Sequence, residues 1–165
     1  MKANQFIKGR GLWITTIFFA LFFYGLGAGM MDSFVVYHTW KFIGPSEFAN
    51  AHMESGSRIV PFFVIPMLLM TIFLVLMFWY RPGVISRKLI WMALVCAIIP
   101  WLSSAFIQIP MQLELSKGKN EVLLQQLITT DWIRIIPTWL MAAIVFTMLV
   151  RCLRENSAVA KEDIN

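Results

Sequence analysis

A chain of 165 residues that is 59% hydrophobic, 15% aromatic and only 14% charged lies far from an ordinary soluble domain, in which roughly a quarter of residues carry charge. Four apolar blocks, each near the ~20 residues a helix needs to cross a hydrocarbon core, take up the length and leave no room for a second soluble domain. The net charge of +5 is spread along the chain, whereas a nucleic-acid binder would gather it on one face.

The first block runs from Leu12 to Tyr37, the second from Ile59 to Tyr80, the third from Leu89 to Pro110 and the fourth from Trp132 to Val150. In lipid the backbone must pair within each segment, so the blocks read as helices; a barrel would show alternating segments of about ten residues. The predicted fold is all-α: a polytopic membrane four-helix bundle, up-down-up-down. The short connection from Arg81 to Lys88, with Pro82 and Gly83, makes the second and third helices antiparallel neighbours.

Orientation follows from the Lys and Arg residues, which are retained on the cytoplasmic side. Lys2, Lys8, Arg10, Arg81, Arg87, Lys88, Arg151, Arg154 and Lys161 fall on one side, and Lys41, Arg58, Lys117, Lys119 and Arg134 on the other. Both termini and the short loop are therefore expected in the cytoplasm of a bacterial inner membrane. Trp and Tyr at the predicted span ends agree: Trp13, Trp79, Tyr80 and Trp91 inside, Tyr37, Trp40 and Trp132 outside. The N-terminal apolar run is longer than a signal-peptide core and is expected to be retained. Cys96 and Cys152 make no CxxC pair and read as small packing residues.

The polar residues of the spans are concentrated toward the predicted outer side: Asp32 and Ser33 on the first helix, Arg58 opening the second, Ser103, Ser104 and Gln108 on the third, Asp131, Arg134 and Thr138 on the fourth, with His38, His52 and Glu54 between the first two. This suggests a cup open to the outer side. Helical spacing puts Gly25, Gly29 and Asp32 on one face, where the GxxxG pair would admit a neighbouring backbone and aim Asp32 into the bundle. Trp101, Ser104 and Gln108 form a stripe on the third helix; Asp131, Arg134 and Thr138 form one on the fourth. An ionisable group inside a membrane needs a partner, and Arg134 is the natural counter-ion for Asp32, Asp131 or both. Asp131 has equally the type and place of a helix N-cap.

Glu54 and Arg58 have the spacing of a helical ion pair. No cofactor motif is present, but His38 and His52 beside Asp32, Asp131 and Glu54 supply donors of the kind that hold iron, copper or zinc. Without a metal, His52 with Glu54 suits general acid–base work near neutral pH. Pro61, Pro66, Pro100 and Pro137 lie within spans, where they kink helices and open space. The amphipathic run Glu121 to Ile128 is expected on the membrane surface, as a lid over the outer half.

The stretch SAFIQIPMQLELSKGKNEVLLQQLITTDWIRIIPTW, with AHMESGSRIVPFFVIPM before it, resembles a group of small four-helix bacterial membrane proteins in which a QxP element follows the third span and [ND]WxR opens the fourth. Here these are Gln108, Pro110, Asp131, Trp132 and Arg134, with His52 and Arg58 earlier. The group is similar in size and layout to the anthrone-oxygenase-like family, whose members oxidise polycyclic phenolic anthrones without an obvious cofactor. Asp131 stands where many relatives have Asn, and no second histidine follows His52, which weakens a metal site by resemblance.

Two functions are compatible with these residues. In a binding or accessory protein of the bilayer, possibly homo-oligomeric, the polar cluster holds helices together or engages a small apolar ligand. In an oxygenase or oxidoreductase acting on a phenolic or quinone-like substrate, His52, Asp131 and Asp32 would handle protons, and Arg134 and Arg58 would stabilise oxyanions. Trp132 would stack on the ring, and Gln108, Ser104 and Glu54 would complete substrate binding. Transport is a poorer third reading, because the chain lacks the paired repeats of most carriers.

Overall fold

The computed structural model describes residues 2–162, with side chains from 9 to 155. Four helical runs make up a bundle: α1 (Gly9–Phe42), α2 (Pro45–Tyr80), α3 (Arg87–Leu115) and α4 (Glu121–Glu155), each long and apolar enough to cross a bilayer. No strand occurs among the described residues. The protein is a multi-pass membrane protein with four spans, so both ends of the chain lie at one end of the bundle. The opposite end, which carries the α1–α2 and α3–α4 connections, is the distal end.

The helices are longer than the apolar blocks. Polar stretches do not stop them: Pro45 starts α2 with its fixed φ at the first turn, and Asn120 Oδ1 accepts from the Leu123 N–H to start α4. At the other end Ser86 caps α3, and Arg81 donates to the Phe78 and Ile85 carbonyls, closing the α2–α3 turn. Ile85 is fully buried beneath that turn.

α1 packs along α2, and α3 along α4; the two pairs join where α2 meets α3, while α1 and α4 touch over a shorter stretch. Large apolar side chains such as Phe62, Phe106, Ile136 and Phe146 point away from the bundle, as expected where the surrounding solvent is lipid. The interior has two separate apolar cores. One, in the half nearer the termini, is built from Phe18, Phe22, Leu74, Met77, Ile90, Met141, Val145, Met148 and neighbours. The other lies at the distal end and joins Tyr37, Trp40, Phe48, Leu115, Leu124 and Leu127.

That second core corrects the expectation of a surface-lying amphipathic segment. Leu124, Leu127, Asp131 and Ile135 are all buried and follow one another at three- and four-residue intervals, so the Glu121–Thr130 arm continues the buried face of α4 inward. It docks on its own core because burying Leu124 and Leu127 there removes more apolar surface from water than lying flat would.

Three π-helical turns interrupt α1, α2 and α3, at Asp32–Val36, Val60–Val64 and Ser104–Gln108. Each inserts an extra residue into the helical register and rotates everything beyond it. Prolines account for part of this. Pro66 has no N–H to offer the Phe62 carbonyl, and that carbonyl instead accepts from the Tyr24 hydroxyl of α1.

The GxxxG expectation is also corrected. A Cβ at Gly25 would meet the flexible end of Met67, and one at Gly29 would sit at ordinary distance from the Phe63 ring; side chains, not backbone, approach there. The close backbone approach is at Gly11, where a Cβ would collide with the Tyr80 carbonyl.

Candidate functional site

Between the two apolar cores lies a layer of polar side chains drawn from all four helices. Its centre is Arg134 on α4. The guanidinium pairs with Asp131 Oδ1 one turn earlier, through Nε at 2.6 Å and also through Nη2. It donates from Nη2 to the Tyr37 hydroxyl of α1 at 3.0 Å and from Nη1 to Ser104 Oγ of α3 at 3.4 Å, and lies 5.9 Å from the centre of the Tyr37 ring. Asp131 is 1% exposed and the Arg134 side chain 17%. Three anchors and five donors in a rigid fork make arginine suited to the middle of such a layer.

The Tyr37 oxygen is fully used. It accepts from Arg134 and, at 3.2 Å, from Gln112 Nε2 of α3, and its own proton goes to Asp32, which also feels Arg134. Gln112 Oε1 lies 2.6 Å from His52 Nε2 of α2. Since the amide nitrogen of Gln112 is spent on Tyr37, its oxygen is the acceptor, so His52 Nε2 carries the proton. The His52 ring is held between Trp40, 4.7 Å away, and Phe48, 5.7 Å away and stacked. Beside this run, Gln108 accepts from Ser103 at 2.9 Å and donates to the Thr130 carbonyl at 3.5 Å. The result is a connected path His52–Gln112–Tyr37–Arg134–Asp131, with Asp32 and Ser104 attached.

Two buried atoms of this layer have no protein partner: Asp131 Oδ2 and His52 Nδ1. Buried polar atoms are nearly always paired, and an orphan costs roughly 1–3 kcal/mol.

The layer contains His52, Asp131, Arg134, Asp32, Ser104 and Gln108 as expected from sequence, but in a different form from an open cup. His52 is 6% exposed, Gln108 2% and Tyr37 2%, because the distal apolar core caps the layer. Arg58 and Glu54 do form their ion pair, at 2.6 Å, but on an exposed face, away from the path. His38 is also exposed, while His52 points inward, so the two imidazoles do not act together. Among the described residues no group of three His, Cys, Asp or Glu side chains is placed to hold a metal ion.

Trp132 lies outside the layer. It packs edge-on against Phe34 and Trp139, at 6.1 and 6.0 Å, and all three rings are partly exposed on the α1–α4 side of the bundle. The N-cap alternative for Asp131 is not how it is used: its φ of −62° and ψ of −24° are helical, where an N-cap is not, and Oδ1 serves Arg134. The Trp101–Ser104–Gln108 stripe splits at the π turn, Trp101 donating to Thr71 of α2 at 3.0 Å while Ser104 faces α4.

Tyr37 and Gln112 were not singled out by sequence as site residues. Tyr37 has the type and place of an interfacial aromatic, and Gln112 stands beyond Pro110 in a segment that reads as loop. A signal existed only for Gln112, four residues after Gln108.

No family model, curated protein or solved structure matches this chain.

Proposed function

We propose that the distal polar layer is a binding site for the polar end of a small, largely apolar molecule taken from the bilayer, and that the protein serves as a membrane-embedded binding or accessory component. The observation that carries this reading is the pair of unpartnered acceptors, Asp131 Oδ2 and His52 Nδ1, in a layer otherwise joined across four helices. A layer that only held helices together would complete its own hydrogen bonds, since half-satisfied buried networks weaken a core. The aromatic group Phe34, Trp132 and Trp139 supports entry from the membrane. It stands where α1 and α4 touch least, on the same stretches of chain that carry Asp32 and Arg134. In the bacterial inner membrane, with both termini cytoplasmic as the charge distribution favours, the layer would lie in the outer half.

The test is extraction and mass spectrometry of the protein purified in mild detergent, wild type against a His52→Ala, Asp131→Asn variant, with thermal unfolding of both. The expected result is an organic molecule at near-stoichiometric amount in the wild type, lost from a variant that still unfolds cooperatively. No such molecule in the wild type, or equal retention by the variant, overturns the reading. A bound phenolic or quinone-like compound recovered in oxidised form from the wild type alone would move the assignment to an oxidoreductase.

A further inference from the structure

The polar layer does not balance its own charge. Asp32 and Asp131 bring two carboxylates, and Arg134 brings one guanidinium; no Lys or second Arg joins the path. With His52 neutral the formal sum is −1. Arg134 is fully committed: all three of its nitrogens are engaged, by Asp131, Tyr37 and Ser104. It has nothing left for Asp131 Oδ2. The donor count gives the same answer. The Gln112 amide, the Tyr37 proton and His52 Nε2 are all spent inside the path, and the two atoms left over, Asp131 Oδ2 and His52 Nδ1, are both acceptors. Burial makes the deficit expensive, because a charge at 1% exposure has no solvent to screen it.

From the uncompensated carboxylate charge and the buried, unpartnered Asp131 Oδ2, we infer that the layer binds a small monovalent cation, either an alkali ion or the ammonium head of an amphiphilic amine. This rests on the reading of the layer as a ligand site and names the ligand's charge. An anion is excluded by the same count, since the one cationic group present is already paired. A neutral ligand would supply a donor but leave the charge. The hydroxyls of Tyr37, Ser104 and Ser103 and the carboxylates of Asp32 and Asp131 are hard oxygen donors of the kind that alkali ions take, and equally acceptors for an N–H head.

The experiment is thermal unfolding of the full-length protein in detergent while sodium, potassium or butylammonium chloride replaces N-methylglucamine chloride at constant ionic strength. A ligand that binds only the folded state raises the midpoint as its concentration rises. The expected result is a midpoint that climbs with one of the three cations, a response lost in Asp131→Asn and retained in Glu54→Gln, which changes an exposed carboxylate. A sodium or potassium response assigns the site to an inorganic ion; a butylammonium response assigns it to an amine head.

If Asp131→Asn does not fold, Asp32→Asn removes the same charge while leaving the Arg134 ion pair in place, and should likewise abolish the response. Midpoints that are the same in every salt, or a response that survives in the carboxylate variants, overturn the inference. An organic molecule in the mass spectrum with no cation response sinks the inference alone. A cation response with no organic molecule sinks the earlier reading and keeps this one.

Discussion

Asp131 and Arg134 show how context decides the meaning of a charged pair. On a water-exposed helix an i,i+3 pair such as Lys117–Glu114, with both side chains mostly exposed, is worth at most about 1 kcal/mol. Asp131 is buried, so what matters is the cost of leaving it alone. Arg134→Leu is expected to destabilise the protein by about 3–5 kcal/mol, and adding Asp131→Leu should recover part of that loss, because the orphaned carboxylate goes with it. Denaturant unfolding of the single and double variants in detergent checks this; a double variant less stable than the single one would contradict it. Tyr37→Phe removes one oxygen that accepts from two helices and donates to Asp32. A loss of about 1–3 kcal/mol is expected from the donors left unpaired.

At the scale of elements, three π turns set which residues meet. Without the extra residue at Ser104–Gln108, regular three- and four-residue spacing would keep Trp101, Ser104 and Gln108 on one face. With it, Trp101 reaches α2, and Ser104 and Gln108 turn to α4. The glycines of α1 make the element scale testable. Gly11→Ala drives a Cβ into the Tyr80 carbonyl, which is backbone and cannot rotate away; Gly25→Ala meets the mobile end of Met67; Gly27→Ala meets nothing. Thermal midpoints should therefore fall in the order Gly27→Ala, wild type, Gly25→Ala, Gly11→Ala. The first should gain up to about 1 kcal/mol from reduced chain entropy and helix propensity, and the last should lose about 1–3 kcal/mol from overpacking. A Gly11→Ala protein as stable as wild type would mean that α1 and the end of α2 are not in contact.

For the molecule as a whole, the distal end is a small assembly with its own core and its own fastening. Lys119 is 9% exposed at its side chain and donates to the carbonyls of Lys41 and Ile43, both at 2.9 Å, while Lys41 reaches Gln125 at 3.0 Å. These bonds tie the α3–α4 connection to the α1–α2 connection over the polar layer. Lys119→Met should speed hydrogen exchange in residues 37–58 and 116–131 and leave the core around Leu74 and Val145 protected, as independent cooperative units behave. Orientation is open to a separate check. In a variant lacking Cys96 and Cys152, Lys117→Cys should react with a membrane-impermeant maleimide on intact cells, and Arg87→Cys only after permeabilisation. The reverse pattern would invert the assignment made from Lys and Arg.

Four spans, their pairing into helical hairpins and the clustering of polar residues at one end were legible from the chain alone, because lipid forces every backbone group to pair locally and hydropathy reports that demand directly. The same local reading found Asp131 and Arg134 as partners, three residues apart on one helix. It did not find that α2 and α4 run on through polar sequence into a second core, since Phe48, Leu124 and Leu127 bury themselves only against one another. Nor did it find Tyr37 and Gln112, whose roles depend on contacts 75 to 97 residues apart and on π turns that shift the helical register. Periodicity describes one helix at a time. Which acceptors are left without a donor, and so what kind of ligand the layer lacks, is a property of four helices packed together and was decided only by the tertiary structure.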